Sequence, residues 1–149
     1  MAGMMKLVEL EDLEERIVAA FAGDESARVV SVYLFGSWAE GRVHRESDVD
    51  LGLLLDLSRL PTPKQRFEAS LRFRGLVGRA LASDNVDLVV LNDAPPLLGR
   101  RIVTQGRRIY CRDPELDHVF VRDVQLRAAD LEPFLDRMRK IKLEALSPR

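Results

Sequence analysis

Three short runs, VVSVYLF at 29–35, VDLGLLL at 49–55 and VDLVVL at 86–91, leave this chain few ways to fold. Each has the length of a strand and is rich in β-branched and large apolar residues, the pattern of strands buried on both faces. Helical periodicity fills the gaps between them. Leu10, Leu13, Ile17, Ala20 and Phe21 recur every three or four residues ahead of Gly23, which predicts an amphipathic helix over 9–22. Residues 64–82 read as a second helix, with Phe67, Leu71, Leu76, Ala80 and Leu81 inward and Arg66, Arg72 and Arg79 largely outward. PPLLGRRIVTQG reads as a helix that starts at proline and ends near Gly106, and RRIYCR as a further strand. A last helix opens at Asp113-Pro114, with Leu116, Phe120, Val124, Ala128, Leu131, Leu135 and Met138 at helical spacing and Pro133 expected to bend or split it. The fold class expected is therefore α/β (α+β): a mixed sheet flanked by helices, one domain over 1–149 with its core at about 10–113 and a helical tail over about 114–146.

Composition narrows the function classes. A net charge of -1 gives no bulk field for a polyanion, so direct nucleic-acid binding is not expected without a local patch. The single cysteine, Cys111, cannot form an internal disulfide. The opening MAGMMKLVELEDLEE lacks the apolar core of a signal peptide, and no apolar run approaches the roughly 20 residues of a membrane span, so a cytoplasmic protein is expected.

The chemistry concentrates at the edges of the apolar runs. Asp48 and Asp50 lie two apart in an extended segment and so share a face. Carboxylates brought within about 4 Å repel by roughly 4 kcal/mol at an effective dielectric near 20, and a divalent cation offsets that. Mg2+ accepts hard oxygen ligands while keeping positions for water and phosphate, and two such ions can stabilise both the attacking and the leaving oxygens of a phosphoryl displacement. A third carboxylate is expected, and Asp87 is the candidate: it opens VDLVVL in a context like that of Asp50 in VDLGLLL, and it could ligate the metal with Asp48 and Asp50 and accept the proton of an attacking hydroxyl. Gly52, on the face of the two aspartates, is read as leaving space for a ligand. Gly36-Ser37 follows the first strand directly, where glycine lets the backbone approach a phosphate and the serine hydroxyl offers a donor; this pair is the expected cradle for a triphosphate tail.

Gly36-Ser37, ten residues, then Asp48-Val49-Asp50 resembles the signature of the DNA polymerase β nucleotidyltransferase superfamily, with Asp87 matching its third carboxylate. Within that superfamily, the small size and the block VDLVVLNDAPPLLGRRIVTQGRRIYCRD resemble the minimal nucleotidyltransferase (MNT) antitoxins, the partners of HEPN toxins. The resemblance spans about residues 10–113. It implies transfer of AMP from ATP to a tyrosine hydroxyl of a HEPN-domain ribonuclease, with Mg2+ as cofactor and a hetero-oligomer with the toxin. Family members often carry a basic residue where Trp38 or Glu40 stands here, and Arg42 and Arg45 are the nearby candidates to supply that charge. Two other readings stand beside this one: a transferase acting on a small molecule such as an antibiotic, and an antitoxin that only binds. Of the remaining residues, His44 reads as a solvated loop histidine, His118 as structural or exposed, and Cys111 as a small buried hydrophobe. Trp38 either stacks on a base or seals the loop against the core.

Overall fold

The computed structural model describes residues 2–23, 27–36, 38–39 and 48–146. Helix α1 (Ala2–Ala20) leads into strand β1 (Val29–Phe35), β2 (Val49–Leu55), helix α2 (Pro63–Leu81), strand β3 (Val86–Val90), a single 3-10 turn (Leu91–Asp93), helix α3 (Pro96–Gln105), strand β4 (Arg107–Cys111) and helix α4 (Pro114–Leu146). The strands form a four-stranded mixed sheet in the order β3-β2-β1-β4. β1 runs antiparallel to both β2 and β4, while β2 and β3 are parallel. A tight turn cannot join parallel neighbours, so α2 makes the crossover between them.

Alternation along β1 and β2 divides the interior into two layers. Val32, Leu34, Leu51, Leu53 and Leu55 face α1 and α2, where Leu13, Ile17, Phe21, Ala69, Phe73 and Val77 meet them. Val30, Tyr33 and Leu54 face the other way, toward Leu91 and Ile102. The sheet is thus covered on both sides, as the doubly apolar strands require.

Three expectations change. The first helix starts well before residue 9, at Ala2, although the stripe Leu13, Ile17 and Phe21 is buried as read. α2 is rotated part-way from the expected face: Leu76 and Leu81 still pack against the core, but Phe67 and Leu71 are 60% and 51% exposed, while Arg66, Ala69, Ser70, Phe73 and Val77 are buried. The rotation follows from two anchors. Thr62 and Gln65 form a reciprocal capping box that fixes the entry of the helix, and Arg66 donates through Nε and Nη2 to Asp93 at 2.9 and 2.7 Å and through Nη1 to the Leu60 carbonyl. A guanidinium held by three acceptors can go inside, and it carries the Ala69–Phe73–Val77 stripe with it.

Pro133 neither ends nor splits the last helix, which continues for 33 residues. It sits where the helix is exposed, so water can satisfy the carbonyl that a proline leaves without its N–H partner. Asp113 caps the start by accepting from the Leu116 amide at 3.1 Å. Val124 and Ala128 are buried, but Leu131 and Met138, expected on the same stripe, are 37% and 50% exposed.

Candidate active site

Asp50 is the second residue of β2 and is paired in register with Asp87, the second residue of β3. Register partners on parallel strands project to the same side of a sheet, with backbones about 4.8 Å apart. Two carboxylates from segments 37 positions apart in sequence are therefore side by side, as the shared Val-Asp-Leu context suggested. Asp48 lies just outside β2 and is exposed, as is Asp87, while Asp50 is half-buried. The electrostatics record the gathering of all three. The Asp50 carboxyl is held above its ordinary range first by burial, then by the negative charge of Asp87 and then by that of Asp48. Loss of water and like charge both disfavour its ionised form.

Gly36 ends β1 opposite this pair and adopts φ +74, a left-handed conformation open to glycine. Phe35 is the cross-strand partner of Asp50, so the chain turns away directly over the aspartate. A β-carbon at residue 36 would overlap the Asp50 carboxylate oxygen. The glycine thus serves two purposes, a left-handed turn and close approach of backbone to a charged group. Ser37, Glu40, Arg42, His44 and Arg45 lie outside the described residues. Trp38 is half-buried against the α1/α2 layer of the core, which favours the sealing role over stacking on a base.

Gly52 does not keep room for a ligand. A β-carbon there would meet Ile102 at 2.9 Å and Leu91 at 3.2 Å, so the missing side chain lets α3 and the 3-10 turn pack against β2. Cys111 is only half-buried, and burial is the largest influence pushing its thiol up. His118 is exposed.

Hard oxygen donors on neighbouring rigid strands, already repelling one another, are the donor set that suits a divalent cation. Among the described residues no three side chains close into a ready-made metal cage. Mg2+ does not need one, because it keeps several waters and binds through one or two carboxylates plus substrate phosphates.

A carboxylate that the sequence did not single out lies at the first turn of α4. Asp117 is 3% exposed and accepts from Ser31 Oγ at 2.6 Å, Tyr33 Oη at 2.7 Å and Arg108 Nη1 at 2.9 Å. It ties α4 to β1 and β4, and burial followed by the hydrogen bond to Asp117 pushes the Tyr33 hydroxyl well up. The available signal was its spacing: 117, 124 and 128 share one helical face, so an aspartate there is carried inward with Val124 and Ala128.

The family model described as polymerase beta, nucleotidyltransferase, matches residues 15–115, which hold every strand and all of the described candidate site. The chain belongs to the polymerase beta nucleotidyltransferase family. Among members of this family it is similar to the protein adenylyltransferase MntA of Shewanella oneidensis, with 32% identity over 103 residues, 68% of each chain. It also resembles a solved toxin–antitoxin structure with AMP-PNP, at 26% identity and a TM-score of 0.60, covering 85% of this chain and 98% of that one. The solved MntA-HepT toxin–antitoxin structure matches at 25% identity and a TM-score of 0.56, covering 85% and 97%. No helix among the described residues is long and apolar enough to cross a membrane.

Proposed function

We propose that this nucleotidyltransferase is the antitoxin of a HEPN/MNT pair, a single-domain enzyme that transfers AMP from ATP to a tyrosine hydroxyl of its cognate HEPN ribonuclease and so silences it. The observation that carries the reading is the registered pair Asp50–Asp87 beneath Gly36. It is supported by the likeness to a protein adenylyltransferase and to toxin–antitoxin assemblies, one of them with an ATP analogue.

In the proposed reaction the acceptor oxygen attacks the α-phosphorus of ATP, the new P–O bond forms, the bond to the β-phosphate oxygen breaks, and pyrophosphate leaves. Asp87, exposed at the mouth of the cluster, takes the phenolic proton, a base placed by geometry. Asp48 and Asp50 are the residues to hold Mg2+, which would neutralise charge developing on the phosphoryl oxygens. Gly36 admits the triphosphate close to the backbone, and the Ser37 hydroxyl is assigned to the same phosphates. Asp48 and Asp87 are exposed, so a protein partner can bring its own hydroxyl to the cluster.

The test is to incubate the protein with Mg2+, ATP and the HEPN protein encoded beside it, then weigh both proteins intact. Adenylate on the HEPN protein, absent with Asp48→Ala plus Asp50→Ala, is the expected result. A tight complex with no mass gain on either partner would leave a binding-only antitoxin instead.

A further inference from the structure

Charge balance around the cluster identifies one more residue, in an inference that rests on the ATP-dependent reading above. A triphosphate brings several negative charges to a site where Asp50 and Asp87 already sit in register with Asp48 just outside the same strand, so binding it calls for positive charge nearby. Apart from Arg101, the arginines of α3 and β4, and Arg112 just past β4, are committed elsewhere. Arg100 pairs with Glu132, Arg107 with Glu14, Arg108 with Asp117 and Arg112 with Asp56. Arg101 has no carboxylate partner among the described residues.

Its position gives that freedom a use. Arg101, Leu98, Ile102 and Gln105 of α3 meet Phe35 and Gly36 around a cavity of about 170 Å³. Gly36 borders both this cavity and the Asp50 carboxylate, so the space opens directly beside the cluster. Phe35, Leu98 and Ile102 make its apolar side. Arg101 and Gln105, one helical turn apart on the same face of α3, supply its donors. A guanidinium fork matches phosphate oxygens in pairs, and an arginine with no internal salt bridge is available to do so.

We propose that Arg101 binds a phosphate of ATP, supplying positive charge to the site from α3. The guanidinium approaches over the rim of the Gly36 cavity, and the Gln105 amide adds a second donor one turn on.

The experiment compares wild type, Arg101→Gln and Arg101→Lys by ATP titration calorimetry with Mg2+, by thermal melting without nucleotide, and by transfer kinetics against the HEPN partner. The expected result is an ATP Kd and KM raised at least tenfold in Arg101→Gln, partly recovered in Arg101→Lys, with unchanged melting and unchanged KM for the acceptor protein. Unaltered ATP affinity in Arg101→Gln, or a rise confined to the acceptor KM, overturns the assignment. If wild type transfers AMP while Arg101→Gln binds ATP normally, the phosphate role alone fails. If Arg101→Gln loses ATP affinity but wild type transfers no AMP, the transferase reading fails and the phosphate role stands.

Discussion

Strand β2 is bordered by aspartates at both ends, and the two live in opposite electrostatic worlds. At its start, Asp50 is partly shielded from water and flanked by Asp87 and Asp48, so its carboxyl is pushed up. Just past its end, Asp56 accepts from the Ser58 hydroxyl at 2.6 Å and amide at 2.9 Å and pairs with Arg112 at 3.1 Å, and its carboxyl is pulled down, most of all by the serine hydroxyl. Asp117 extends the contrast, since it is nearly inaccessible yet fully supplied with donors. Carboxylates that hold this fold together come with their partners built in. The cluster at Asp50 has none of its own among the described residues, and that deficit is what a divalent cation would complete.

The contrast breaks most visibly at Asp87. Asp87→Asn should lower the rate of AMP transfer by about 10²–10⁴, the usual contribution of a positioned base, while leaving the ATP Kd and the melting temperature near wild type. A variant that transfers at the wild-type rate would remove Asp87 from the chemistry. Asp117→Ala should do the reverse. Stranding two hydroxyls and a guanidinium should cost about 2–4 kcal/mol in urea unfolding, with the transfer rate per folded molecule unchanged below the transition.

Gly36→Ala tests the seam between the two kinds of region. A left-handed alanine costs roughly 1–3 kcal/mol, and its methyl group would push on Asp50, so both stability and transfer should fall together. If only stability falls, the close approach to Asp50 is not used in the reaction.

The smallest effects concern pH. The raised Asp50 carboxyl binds its proton more tightly folded than unfolded, so its ionisation erodes stability as pH rises from the unfolded value near 3.8 through the folded one. Asp50→Asn should therefore melt slightly higher than wild type at neutral pH, by about 1 kcal/mol or less, with the gain vanishing in acid. Asp56 carries the other sign. Its contribution is present above 3.8 and is lost as pH falls through its lowered folded value, so Asp56→Asn should be mildly destabilising at neutral pH and neutral in strong acid. Equal pH profiles for the two variants would erase the distinction drawn between them.

Legibility in sequence followed periodicity. β1 and β2 run over the residues read for them, and α3 ends at Gly106 as glycine and proline placement suggested. The carboxylate pair was legible for a related reason: the same Val-Asp-Leu opening on two buried strands puts both aspartates at equivalent depth, so pairing the strands brings them together. The reading of α2 held for Leu76 and Leu81, which pack against the core, and failed at Phe67 and Leu71 because the helix offers a second apolar stripe, Ala69–Phe73–Val77, that hydrophobicity alone does not rank above them. Arg66 decided between them through Asp93, a contact across 27 positions that no local pattern contains.

What the chain determined by itself is where strands and helices lie and which short segments carry acid and glycine at their ends, because those features depend on neighbours a few residues away. Tertiary structure alone decided that β2 and β3 pair in parallel with Asp50 against Asp87, that Gly52 makes room for Ile102 rather than for a ligand, and that Asp117 is satisfied while Asp50 is not. Burial, dielectric and the count of donors around a charge are sums over residues distant in sequence, and they take values only once the layers have closed on the sheet.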